Sequence, residues 1–289
     1  MVNPAAGAGR ARRFWPRLRD TLSRLSFVFD TVETRGPGHA TSLAAEAARA
    51  GVPLVVAVGG DGTLNEVVNG VAPLRDECPV TVGAIMTGRG RDACRNFGLT
   101  PDPRRAARRL QEGRVVSFDL GLAVWPGGRR FFLGSAGAGF DAMVAERAGP
   151  RGGRLTYLRA VVTSLRDYRP AEVAVAVSGV AAWAGPAASV VVCNGRSFGG
   201  GMRIAPGARP DDGQLDVVLL GALGRAELIC WLPTVYWGGH LANPKIKTWR
   251  ATAVRVATPA PLPVQIDGEL CAHTPLDITI HPAALRLLV

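Results

Sequence analysis

The sequence predicts an α/β domain built on a doubly wound parallel sheet, followed by a mostly antiparallel β-sandwich domain. Three observations carry that expectation. Apolar runs such as "PLVVAVGG" (residues 53–60) do not alternate, as expected of strands covered on both faces. Helical segments separate those runs, the pattern of right-handed crossover units. From Ser117 onward the texture changes to short β-rich segments punctuated by glycine, the mark of a sandwich or barrel. The boundary is placed near residue 118, giving domains 1–118 and 119–289, with the last strand free to return to the first domain.

The chain opens on "MVNPAAGAGR", almost directly in a turn. A sheet that starts here has a first strand of only a few residues, so the expectation is a true start upstream of Met1. Helices are then expected over residues 11–25, 40–50, 64–71 and 103–111, and strands over 27–32, 54–58 and 80–85. In the second domain, strands are read in the segments 117–125, 129–140, 171–179, 188–195, 214–221, 252–258, 262–268, 275–281 and 284–289. Helical insertions are expected over 142–147, 157–167 and 226–237. Residues 173–195 carry no charge, but they alternate and are broken by Gly179, Gly185 and Pro186. Two strands joined by a turn fit this better than a membrane span.

The 289 residues are 47% hydrophobic and 20% charged, enough for a sizeable core. A net charge of +11, spread along the chain, suits an anionic partner (nucleotide, nucleic acid or acidic membrane surface), or simply an arginine-rich genome. Five cysteines with no C-x-x-C pair argue against a disulfide framework or a zinc site and for a reducing compartment. The N-terminus has no basic-then-apolar signal pattern.

The informative stretch is "VVAVGGDGTLNEVVNG" (55–70). A strand ends at Gly59-Gly60-Asp61-Gly62-Thr63, and a helix follows. Glycines there allow positive φ and close approach, and free N–H groups at the helix start point at an anion. Asp61 beside a phosphate needs a metal ion or a ribose hydroxyl between them; the plain alternative is a turn with Asp61 as helix cap. This is neither a Walker A loop nor G-x-G-x-x-G. Two more turns, at residues 3–10 and 88–92, fall at the carboxyl ends of predicted strands, where doubly wound sheets bind ligands. Arg10, Arg89 and Arg91 are candidates to neutralise phosphate charge, or are simply solvated.

These motifs, taken in order, resemble the diacylglycerol kinase catalytic domain family, which includes bacterial soluble lipid kinases, sphingosine kinases and ceramide kinases. "GGDGTLNEVVNG" is similar to the family signature; "NPAAG" (3–7) precedes it, and "GSAGAGFDA" (134–142), "NGRSFGGGMRIAPGARPDDGQLDVVLL" (194–220) and "IDGE" (266–269) follow it. The resemblance implies an ATP-dependent kinase acting on a lipid hydroxyl, most simply diacylglycerol to phosphatidic acid. It implies nucleotide binding by Asn3, Pro4, Ala5, Ala6, Gly7, Thr34, Gly59, Gly60, Asp61, Gly62, Thr63, Leu64, Asn65, Gly88 and Arg89. It implies Glu269 as base, with Asp267 orienting it or binding metal. It also implies a structural Mg²⁺ held by the Asp212 side chain and the carbonyls of Arg209 and Gln214. Where the family has G-T-x-N-D, this chain has Gly88-Arg89-Gly90-Arg91-Asp92: a hydroxyl and an amide become two guanidinium groups.

On composition alone, Asp267-Gly268 is a hairpin turn and Asp211-Asp212-Gly213 a solvated turn. "ICWLPTVYWGG" (229–239) is a core helix or a lipid-facing wall. An apolar cleft between the domains would hold the acyl part. The expected partners are a lipid substrate at a membrane surface and no nucleic acid, with a homodimer left open; the expected location is cytoplasmic and peripheral to the membrane. Two other readings stand beside the lipid kinase: an NAD kinase-like enzyme of the wider G-G-D-G group, and a non-catalytic lipid- or nucleotide-binding protein.

Overall fold

The computed structural model of the chain describes residues 1–149 and 154–289. It divides into two compact units, Met1–Leu120 with Pro282–Val289, and Gly121–His281.

In the first unit, α1 (Ala6–Arg24) opens with Gly7, Ala8 and Gly9 in left-handed conformation, so regular helix starts at Arg10. α2 (His39–Arg49) buries Ala40, Ala44 and Ala48, a stripe of three alanines four positions apart. β1 (Leu54–Gly59) leads into α3 (Asp61–Val71), and β2 (Thr81–Met86) lies parallel to β1, Leu54 opposite Thr81 through Gly59 opposite Met86. α4 (Asp92–Phe97), α5 (Pro103–Glu112) and β3 (Val115–Trp125) follow. Val58 and Ile85 pack with Leu18 and Leu22 of α1 and Ala106 and Ala107 of α5. Strand side chains alternate, so Val55 and Ala57 enter the opposite face and are buried there too. That double burial is why the strand lacks alternation in the sequence.

The expected strand over residues 27–32 does not form. Val2 alone bridges between Val58 and Glu33, so the ladder that would organise this segment is one residue long. The segment runs extended, with Val28 fully exposed and Phe29 and Val32 more than a third exposed. It borders an apolar cavity of about 610 Å³ that also touches Trp15, Leu43 and Val56.

The second unit is antiparallel. β4 (Gly128–Phe132) pairs with β3, and β5 (Ser135–Gly139) leads into the helices α6 (Phe140–Ala148) and α7 (Arg154–Asp167). β6 (Ala171–Val177) and β7 (Val180–Cys193) form the hairpin expected from the uncharged stretch. β8 (Leu215–Gly221) is followed by α8 (Arg225–Trp231), β9 (Ile246–Ala251), β10 (Ala253–Ala257), β11 (Pro263–Ile266), β12 (Glu269–His273) and β13 (Leu276–Leu288). The core takes alternate residues from these strands: Val173 and Val175, Val190 and Val192, Leu215, Val217 and Leu219, Val264 and Ile266, Leu276 and Ile278. β13 pairs with β10 at its start, while Arg286 and Leu287 pair in parallel with β2 of the first unit.

The helix expected over residues 226–237 ends as α-helix at Trp231 and continues as a 3₁₀ turn, Leu232–Tyr236. Pro233 has no N–H to carry the helix on. α4 and β9 lacked a readable pattern. α4 is six residues long, and β9 ("IKTWRA") is an edge strand carrying charge, paired among the described residues with β8 only.

Candidate active site

Three loops of the first unit meet at the carboxyl ends of β1 and β2. The Asn3 side chain donates to Thr63 Oγ1 at 2.9 Å and accepts the Ala5 N–H at 3.1 Å, closing the turn Asn3-Pro4-Ala5-Ala6-Gly7. Thr87 N–H donates to the Gly59 carbonyl at 2.7 Å. A Cβ on Gly88 would sit 2.8 Å from the Gly60 Cα, so the two loops touch backbone to backbone and only glycine fits. Thr34 is buried, its N–H on the Val2 carbonyl at 2.9 Å, next to Asn3 in the chain's first turn.

Asp61 holds this arrangement together. Its carboxylate accepts Arg91 N–H and Ala93 N–H, both at 2.9 Å. It therefore caps α4 from a neighbouring loop, neutralising amides that a six-residue helix leaves unsatisfied. At the start of α3, Gly60 is extended and supplies no side-chain cap, which leaves the amides of Asp61, Gly62 and Thr63 as helix-terminal donors. Leu64 and Asn65 point inward, 0% and 1% exposed, and the Leu64 N–H donates to the Gly60 carbonyl at 3.1 Å. Arg10 and Arg89 are exposed. Arg91 stands in left-handed conformation at φ 57°, where the family's asparagine would be at ease, and its Nε is buried without a partner. Thr87 Oγ1 is likewise buried and unpartnered. The helix-terminal amides suit a polyanion such as the ATP triphosphate, and the Asp61 carboxylate beside them is engaged by Arg91 N–H and Ala93 N–H.

In the second unit Asp267 and Gly268 turn the chain between β11 and β12 at φ 49° and 83°, the type I′ hairpin expected of D-G. The Asp267 carboxylate is buried. Oδ2 accepts Leu133 N–H at 2.8 Å; Oδ1 accepts Gly134 N–H at 2.8 Å and Ser135 N–H at 3.1 Å. Burial pushes its pKa above the usual carboxylate range even against these three donors. With both oxygens spent on amides, Asp267 is built to orient the turn. Glu269 comes next, its side chain 46% exposed, with Oε2 2.9 Å from Arg130 Nη1. Burial works to lower the Arg130 pKa, and the Glu269 carboxylate more than offsets it.

Sequence reasoning missed what lies beneath this turn. Gln265 Oε1 accepts Gly268 N–H at 2.8 Å, and its Nε2 donates to Asp141 Oδ2 at 3.1 Å. Ser189 Oγ donates to the other Asp141 oxygen. Asp141 is partly exposed as a residue, but the desolvation of its carboxylate raises its pKa despite these donors. The available signal was Gln265 itself, a polar residue between Val264 and Ile266 and as buried as they are.

At the turn expected to hold Mg²⁺, the Asp212 carboxylate accepts Gln214 N–H at 3.1 Å and is ion-paired with the Arg250 guanidinium, while the Arg209 side chain pairs with Asp211 at 3.1 Å. Among the described residues no group of three or more His, Cys, Asp and Glu side chains could hold a metal ion, and no helix is long and apolar enough to cross a membrane.

The first unit thus carries a glycine-lined loop cluster at a helix start, and the second a half-exposed carboxylate on a fixed turn. Comparison with known proteins narrows the class. Residues 1–123 match the diacylglycerol kinase catalytic domain, and residues 134–289 match the YegS C-terminal NAD kinase beta sandwich-like domain. The chain is 31% identical to a diacylglycerol kinase of Mycobacterium tuberculosis over all of its own length and 93% of that protein's. It is 30% identical to a diacylglycerol kinase of Bacillus subtilis, covering 93% and 88%. A crystal structure of a diacylglycerol kinase from Bacillus anthracis superposes with a TM-score of 0.80 at 26% identity, covering 99% and 94%. An ATP-bound NAD kinase from Archaeoglobus fulgidus shares the fold alone, at 17% identity and a TM-score of 0.54. The chain belongs to the diacylglycerol kinase family of lipid kinases.

Proposed function

We propose that this chain is an ATP-dependent lipid kinase that phosphorylates diacylglycerol to phosphatidic acid, with Glu269 as the base. The observation that carries this reading is the turn at residues 267–269, where a buried carboxylate locked by three amides presents a half-exposed one. ATP supplies the γ-phosphoryl group. The amides of Asp61, Gly62 and Thr63 and the turn at residues 3–7 hold its phosphates, and Arg89 and Arg91 add positive charge in place of the family's hydroxyl and amide. Glu269 takes the proton of the lipid hydroxyl as its oxygen bonds to the γ-phosphorus and the bond to the β-phosphate oxygen breaks. Arg130 engages Oε2 and fixes the carboxylate, so Oε1 is the proton acceptor. Asp267 and, through Gln265, Asp141 position the turn.

The test is transfer of label from radiolabelled ATP to diacylglycerol, ceramide, sphingosine and NAD, with wild type and Glu269→Gln. Label in diacylglycerol that falls by about 10²-fold or more in Glu269→Gln supports the assignment. Label in NAD and in no lipid would sink it, and equal rates for wild type and variant would remove Glu269 as base.

A further inference from the structure

The segment from Leu228 to Trp237 is apolar apart from Thr234, yet only one side of it is covered. Leu228 and Val235 are buried, and Leu232 packs with them. Ile229, next to Leu228, and Tyr236, next to Val235, face outward together with Trp237, and are 58%, 48% and 65% exposed; Leu241 follows at 37%. A soluble helix ordinarily turns a polar face to water, and a cluster of exposed large apolar side chains marks a contact surface. Tyr and Trp together with aliphatic side chains are the composition that settles at a bilayer interface.

Cations outnumber acids along this part of the chain: between residues 217 and 266 Glu227 stands against Arg225, Lys245, Lys247, Arg250 and Arg255, of which Arg250 is paired with Asp212 and Arg255 with Asp277. Glu227 is itself paired with Lys245 at 2.8 Å. Arg225 lies four residues before Ile229 on the same helix face, and exposed Arg203 flanks the middle of the patch, its N–H on the Val235 carbonyl at 2.9 Å. Cations beside exposed aromatics complement an anionic phospholipid surface.

We propose that Ile229, Tyr236, Trp237 and Leu241 form the surface through which the second unit docks on an anionic bilayer, with Arg225 and Arg203 as its electrostatic flank. This rests on the reading of the substrate as a membrane lipid. The side chains insert among the acyl chains below the headgroups, and the arginines remain at headgroup level.

The test is flotation of the full chain, without ATP, on phosphatidylcholine vesicles with and without phosphatidylglycerol. Wild type floats with the anionic vesicles and releases as salt is raised. Ile229→Ser and Trp237→Ser each lower the partition coefficient roughly tenfold. Their thermal melts and their turnover of a water-soluble short-chain diacylglycerol stay at wild-type values. Arg203→Glu weakens binding to anionic vesicles only. Wild type that does not float, or serine variants that float as well as wild type, would overturn the proposal. So would a wild-type dimer in sedimentation that the serine variants turn into monomers, since the patch would then be a face between copies. Flotation with no lipid phosphorylated would instead overturn the proposed function and leave the docking surface standing.

Discussion

Asp267→Asn separates the hydrogen-bond pattern of the turn from its shape. Asparagine tolerates the left-handed φ of 49° as well as aspartate does, so the type I′ turn is kept. What changes is the acceptor count. One amide oxygen can still serve Gly134 and Ser135, but the NH₂ then faces Leu133 N–H across the 2.8 Å that an acceptor now spans. Losing a charge-assisted bond costs about 1.5–3 kcal/mol, and the stranded buried donor adds about 1–3. Part is recovered because no charge is buried any longer, the same burial that raises the Asp267 pKa. The net is roughly 2–4 kcal/mol of local stability. The assay is amide hydrogen exchange at Leu133, Gly134 and Ser135, where that loss reads as about 30- to 1,000-fold faster exchange. Turnover falls alongside while the KM for ATP holds, since the nucleotide loops belong to the first unit. Protection within about threefold of wild type, or a KM for ATP that rises as steeply as turnover falls, would refute the orienting role.

Three further outcomes follow from named contacts. Gly88→Ala places a Cβ 2.8 Å from the Gly60 Cα, backbone against backbone, so one loop must shift; nucleotide affinity by calorimetry should fall about tenfold or more, and unchanged affinity would show that the cradle is not the nucleotide site. Asp141 has a raised pKa in the folded chain, so the native state binds more protons than the unfolded one between the ordinary value of 3.8 and the raised value, and stability declines as pH rises through that window. Urea unfolding across that range should show a shallower decline for Asp141→Asn; parallel slopes would remove the burial argument. If Arg250 is the cation of the 209–214 turn, EDTA leaves the melting temperature unchanged while Arg250→Met lowers it, and a chelator-sensitive melt would restore a divalent ion there.

The parts of the site that were legible in the sequence are those whose backbone is special. Gly59 and Gly88 announce themselves because a Cβ has no room there, and Asp267-Gly268 because few residue types reach positive φ. The strand 54–59 was legible because burial on both faces erases alternation, and the hairpin at 171–193 because the sandwich restores it. Illegible were the roles that depend on a partner far along the chain. Nothing near Asp61 says that its carboxylate caps a helix beginning 31 residues later, and nothing near Asp212 says that Arg250 answers it. The same limit explains residues 27–32. Their β-branched, aromatic composition asks for a strand, but a strand needs a neighbour, and Val2 supplies only one bridge. Gln265 lies between these cases. Its partners, Asp141 and Gly268, are invisible in sequence, but its position is not. β11 runs Pro263–Ile266, and both neighbours of Gln265 are core side chains. A side chain with a donor and an acceptor is tolerated there only if both are answered, and a buried amide answered on both sides has a fixed orientation. An inward-facing polar residue just ahead of a tight turn is therefore a sign, readable in the sequence, that the turn is held from beneath.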